Sequence, residues 1–191
     1  KFSKTGRAVY ISHLDLMRTM QRALRRSGLP VAYSQGFNPH ILITFASALS
    51  TGYSGTHEIM EVQLEREVAP ADFLAAMNAA MPPDMQLSSA KTLPDQHIAL
   101  MAQVQAADYT LTLDDAAVAQ TIADKLDAFL AQETIMAVRK TKSGMKETDI
   151  RPLIHTLTVE GCAIHAVMTL TERLACKPGM LLEALTAFCA L

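Results

Sequence analysis

Nowhere does the chain carry the run of roughly 20 uninterrupted apolar residues that a membrane-spanning helix requires, so a soluble, cytoplasmic protein with no membrane attachment is expected. It has only 3 cysteines, Cys162, Cys176 and Cys189, without tight spacing and without a secretion signal. That fits a reducing compartment and excludes a disulfide framework. The glycine-rich phosphate cradles of the two common nucleotide-binding types are missing, and Gly52-Tyr53-Ser54-Gly55 reads as an ordinary loop. His57 and Glu58 are adjacent while His97, His155 and His165 are scattered, so no set of ligands has metal-site spacing and neither metal nor cofactor is expected. Excess charge is lacking too: a formal net charge of -2 rules out a general basic coat. Any polyanion site must come from local segregation of charge.

What is present is a large apolar fraction, 50% of 191 residues, enough for a genuine core and incompatible with a disordered chain. The charge is segregated. Up to His40 the bases Lys1, Lys4, Arg7, Arg18, Arg22, Arg25 and Arg26 face only Asp15, whereas Glu58, Glu61, Glu65, Glu67 and Asp72 later form an acidic run relieved by Arg66.

The stretch from Ser12 to His40 organises this asymmetry. Ser12 is placed to cap a helix, with Asp15 three residues on as its reciprocal partner. At 100° per residue Leu14, Met17, Met20 and Leu24 share one stripe, and Arg18, Arg22, Arg25 and Arg26 share another. Four guanidiniums on one exposed stripe repel one another, and a phosphate backbone would relieve that repulsion through the planar donor fork of arginine. The alternative is a solvated face whose arginines pair with acids elsewhere in the fold.

Gly28 should end the helix in the left-handed region, with Pro30 preventing continuation. In the loop that follows, Tyr33, Ser34, Asn38 and His40 can stack a base and read its edges, while Phe37 is expected to be buried and Pro39 to lead into the next strand. A second basic element, Arg139, Lys140, Lys142 and Lys146, lies on a loop with a central glycine suited to a phosphate backbone, or is simply a solvated lysine-rich loop. Acid–base chemistry would draw on His13 and His40, with Tyr10, Tyr33 and Asp15 as further ionisable groups. The alternative for His13 is a buried, hydrogen-bonded histidine at the helix start.

Taken in order, residues 2–11 read as a strand, 41–45 and 57–64 as two more, 70–81 as a helix started by Pro70 and stopped by Pro82-Pro83, and 85–92 as a fourth strand. This β-α-β-β-α-β order is that of an α+β, ferredoxin-like half, residues 1–93. Residues 94–106 form a crossover. Residues 107–191 then read as a second ferredoxin-like half, degenerate or truncated: a strand at 108–113, a helix capped by Asp114 or Asp115, a strand at 134–139, a basic loop at 140–149, a hairpin turning at Glu160-Gly161, and a closing helix from Met180.

SHLDLMR, ALRRSGLP, YSQGFNPH, ITFASALSTGYSGTHEIMEVQL and KTKSGMKETDIRPLI occur in this order along nearly the whole chain. Together they resemble the radical-SAM-linked family of uncharacterised bacterial domains. Members of that family stand alone or follow a radical-SAM protein with a cobalamin-binding-type region, so the resemblance implies a radical-SAM partner, in cis or in trans. The chain is not that enzyme, since an iron–sulfur centre needs closely spaced cysteines. The functional expectation is a non-catalytic module that binds RNA, or presents a substrate, to the radical-SAM enzyme in an RNA-modification setting. Two alternatives stay open: a module that docks on the partner without RNA, and a metal-independent RNA-processing enzyme.

Overall fold

The structure, a computed structural model, describes residues 1–94, 96–141 and 144–191, with Lys140 and Thr141 described by their backbone alone. Helices alternate with small antiparallel sheets, an α+β architecture. The chain divides into two compact units, Lys1–Gln103 and Val104–Leu191, each with its own apolar core.

In the first unit β1 (Phe2–Lys4) leads into a 3₁₀ turn (Gly6–Tyr10) and then α1 (His13–Arg26). β2 (Ile43–Phe45), β3 (Gly55–Glu58) and β4 (Met60–Val62) follow, then α2 (Pro70–Ala80) and the short α3 (Leu100–Gln103). β1 pairs antiparallel with β3, and β2 with β4. The free edge of β1 receives residues 84–88: Phe2 bridges Leu87, and the amides of Ser3 and Thr5 donate to the carbonyls of Gln86 and Asp84. Phe2, Leu16, Met20, Leu24, Ile41 and Met77 make the centre of this core, and burying each such side chain is worth about 1.5–3 kcal/mol.

The second unit runs β5 (Ala106–Thr112), α4 (Ala116–Leu130), β6 (Met136–Thr141), β7 (Gly144–Asp149), β8 (Ile154–Glu160), β9 (Ala163–Thr169) and α5 (Pro178–Cys189). A three-stranded antiparallel sheet has the order β5-β9-β8, and β6 and β7 form a separate ribbon. Asp115 caps α4 by accepting from the amides of Ala117 and Val118 at 2.7 and 3.3 Å.

Four expectations are corrected. Residues 2–11 are not one strand: Gly6, at φ 49°, turns the chain, and its missing Cβ leaves room for the Asp84 carboxylate, which also accepts from the Arg7 amide. The buried stripe of α1 is Leu16, Met20, Ala23 and Leu24, and Leu14 is 57% exposed, so the packed face is rotated from the one the apolar spacing suggests. Within the expected basic loop, residues 140–141 and 144–149 are strand, because a two-stranded ribbon closes its backbone hydrogen bonds without needing an apolar face, and residues 142–143 lie outside the described residues. Residues 85–92 contribute one bridge and a few backbone hydrogen bonds in place of a regular strand. Among the described residues no helix is long and apolar enough to cross a membrane.

Candidate nucleic-acid interface

Helix α1 begins where sequence chemistry places it. The Asp15 amide donates to Ser12 Oγ at 3.2 Å, and the Ser12 hydroxyl donates to Asp15 Oδ2 at 2.7 Å, so the side chains complete the cap between themselves. Asp15 Oδ1 accepts from Arg18 Nη1 at 3.1 Å. The Ser12 hydrogen bond and the Arg18 guanidinium, with a smaller contribution from Arg22, hold this carboxyl below its ordinary range.

The four arginines all lie exposed, but their circumstances differ. Arg18 is matched by Asp15, and Arg26 donates to the Ala80 carbonyl at 2.7 Å, capping the end of α2 where cations are favoured. Among the described residues Arg22 and Arg25 have no carboxylate within 4 Å and no hydrogen-bond acceptor. They remain two guanidiniums one turn apart with no ion pair of their own, Arg22 feeling Asp15 only beyond contact distance.

The helix ends at Ser27, and Gly28 at φ 70° turns the chain away. Tyr33 bridges Ile41, and the loop between them is closed at its base. The Ser34 amide donates to the His40 carbonyl at 2.8 Å, the His40 amide donates to Ser34 Oγ at 3.1 Å, and Ser34 Oγ meets His40 Nδ1 at 2.8 Å. Phe37 at the tip is fully exposed, contrary to the burial expected of it, because Gly36 at φ 130° swings the tip away from the core. Tyr33, Asn38 and His40 are exposed as well.

His13 and His40 are not brought into one hydrogen-bonded group among the described residues. The ring of His13 packs edge-on to Phe45 at 5.3 Å between centroids, and its buried Nδ1 has no partner, in place of the hydrogen bond expected there. A shallow depression of about 280 Å³ is lined by Arg26, Ser27, Ala76, Ala79 and Ala80, an alanine-floored surface with few convergent polar groups. No cluster of three or more His, Cys, Asp or Glu suited to a metal occurs among the described residues.

In the second unit the basic element sits on the β6–β7 ribbon. Arg139 and Lys146 are direct cross-strand partners, a like-charge pair that repels unless an anion intervenes. Lys140 pairs with Met145, and Lys142 lies outside the described residues.

Two ionisable sites escape a reading of spacing alone. Lys4 is fully enclosed, donating to the carbonyls of Ser50 at 3.1 Å and Val9 at 3.4 Å, and burial lowers its pKa. His97 donates from Nδ1 to the Pro94 carbonyl at 2.9 Å, and Nε2 lies 3.3 Å from Glu61. With the Pro94 carbonyl first and Glu61 second favouring the imidazolium, its pKa rises above the ordinary 6.5. The stability this contact provides is complete below pH 6.5 and lost as pH rises through the raised value. Hydrogen exchange of residues 97–103 should therefore accelerate on going from pH 6 to about pH 8 after correction for intrinsic rates, and Glu61→Gln should reduce that change.

No curated protein and no solved structure matches the chain. A family model does match, over residues 1–179, and with that span covered the chain belongs to the family described as uncharacterized protein conserved in bacteria (DUF2344).

Proposed function

We propose that this protein is an RNA-binding module that presents RNA to a radical-SAM enzyme, joined to it or separate, in the cytoplasm. The observation that carries the RNA reading is the exposure of Arg22 and Arg25 without internal carboxylate partners. Beside them in sequence, the 33–40 loop offers Tyr33 and the fully exposed Phe37 for stacking, with Asn38 and His40 as edge-reading groups. Ser34 supports that loop, and Arg139, Lys140, Lys142 and Lys146 supply a second phosphate-binding element. The module itself is non-catalytic in this reading and needs no cofactor of its own. The radical-SAM partner rests on the resemblance of the quoted strings alone.

We also infer that both units are variants of the ferredoxin-like arrangement. The pairing order 84–88, β1, β3/β4, β2 supports this for the first unit, and the order β5-β9-β8 supports a shortened version in the second. Protein docking without RNA is the second reading. Met136, Val138 and Met145, exposed on one face of the β6–β7 ribbon, favour it.

Titration of labelled bulk tRNA with the protein at rising salt tests the first reading. Affinity should fall steeply, with a log–log slope of about -0.7 to -0.9 per phosphate contacted. Undetectable or salt-insensitive binding would remove RNA from the account.

A further inference from the structure

The 3₁₀ turn of residues 6–10 places Arg7 and Tyr10 at positions i and i+3, which eclipse one another in a helix with three residues per turn. Both side chains are out in solvent: Tyr10 is 76% exposed, and Arg7 is held only by one Nε–carboxylate approach to Asp84 at 3.7 Å. A second exposed tyrosine is brought to the same place by the 46–54 loop. The Gly52 amide donates to the Val9 carbonyl at 2.7 Å, so the residues immediately preceding Tyr53 and Tyr10 are directly bonded. Below them the enclosed ammonium of Lys4 bonds the carbonyls of Val9 and Ser50, fixing the two loops to each other. Neither tyrosine hydroxyl has a hydrogen-bond partner among the described residues, which leaves both rings as amphipathic surfaces on rigidly tied backbone.

We propose that Arg7, Tyr10 and Tyr53 form a second nucleotide-binding surface, a stacking platform for unpaired bases of single-stranded RNA with Arg7 taking a neighbouring phosphate. The proposal rests on the RNA reading above and deepens it to a substrate class, since paired bases are not free to lie on exposed rings. Aromatic rings stack any base, so the platform selects for single-strandedness more than for sequence.

The test is anisotropy with a fluorescein-labelled uridine oligonucleotide of roughly ten nucleotides, a length within the range of stacking-type sites. Tyr10→Ala and Tyr53→Ala should each weaken binding by about 5- to 100-fold with an unchanged salt slope, because no charge is removed, and Tyr10→Phe should bind as the parent does. Arg7→Gln should reduce the slope by about 0.7, one phosphate on a single strand. Tyrosine-to-alanine variants that bind like the parent, while Arg22→Gln plus Arg25→Gln weakens binding, would overturn this proposal and leave the RNA reading standing. If the parent protein does not bind the oligonucleotide or tRNA at any salt, the RNA reading itself falls, and this proposal with it.

Discussion

Reversing Arg22 and Arg25 to glutamate together should weaken tRNA binding by on the order of 100-fold at moderate salt, the largest effect expected of any surface change here. Both side chains are exposed and unpaired by carboxylate, so their loss removes attraction without breaking an ion pair or side-chain hydrogen bond among the described residues. Helix α1 should survive the change. Glutamate and arginine have nearly equal helix propensity, and a carboxylate at 22 stands four residues from both Arg18 and Arg26. A carboxylate at 25, in the last turn, opposes the helix dipole and costs about 0.3–1 kcal/mol. Circular dichroism should therefore show a folded protein. Arg66→Glu plus Lys91→Glu changes total charge equally on exposed positions outside the proposed surface, and it should cost far less affinity. Equal losses for the two pairs would mean that net charge alone, and no particular face, governs binding.

Phe129→Ala should destabilise the second unit by about 3–5 kcal/mol. Its ring is 1% exposed, sits in the core with Ile122, Ile164 and Leu181, and meets Phe188 edge-on with centroids 5.5 Å apart. Truncation loses transfer energy, leaves a cavity, and forfeits an aromatic pair worth about 0.5–1.5 kcal/mol. Against a total domain stability of about 5–15 kcal/mol, that is a large fraction. The melting transition of this unit should drop by more than about 10 °C. Because Phe129 belongs to one core and Leu16, Met20 and Leu24 to another, amide exchange should rise across residues 104–191 while α1 keeps its protection. Equal loss of protection in both units would show a single cooperative fold.

Sequence chemistry located the punctuation of this fold better than its faces. Ser12 and Asp115 cap helices, Pro70 starts one, Gly28 ends one, and Gly161 turns a hairpin, because each acts through its own backbone or its nearest amides. Which side of α1 is buried depended on what packs against it. Leu14, Leu16, Met17 and Met20 offer overlapping apolar stripes, and the tertiary partners select the one containing Leu16. Residues 8–11, Ala-Val-Tyr-Ile, have strand composition, yet Gly6 and the distant Asp84 turn them into a 3₁₀ segment. No local pattern announces an acid 77 positions away. Similarly, Phe37 reads as core by residue type, and Gly36 carries it outward. The arginine stripe was legible from spacing. Which of its members lack partners was not, since that required the position of the Ala80 carbonyl as well as that of Asp15.

Photocrosslinking of thiouridine-substituted RNA to the intact protein, with the adducts located by peptide mass spectrometry, asks directly which residues touch RNA. Adducts are expected on the segment 28–41, at Tyr33 or Phe37, and should disappear in the Arg22→Glu plus Arg25→Glu variant. Adducts confined to residues outside the first unit, or none at concentrations where tRNA is bound, would contradict RNA binding at this surface.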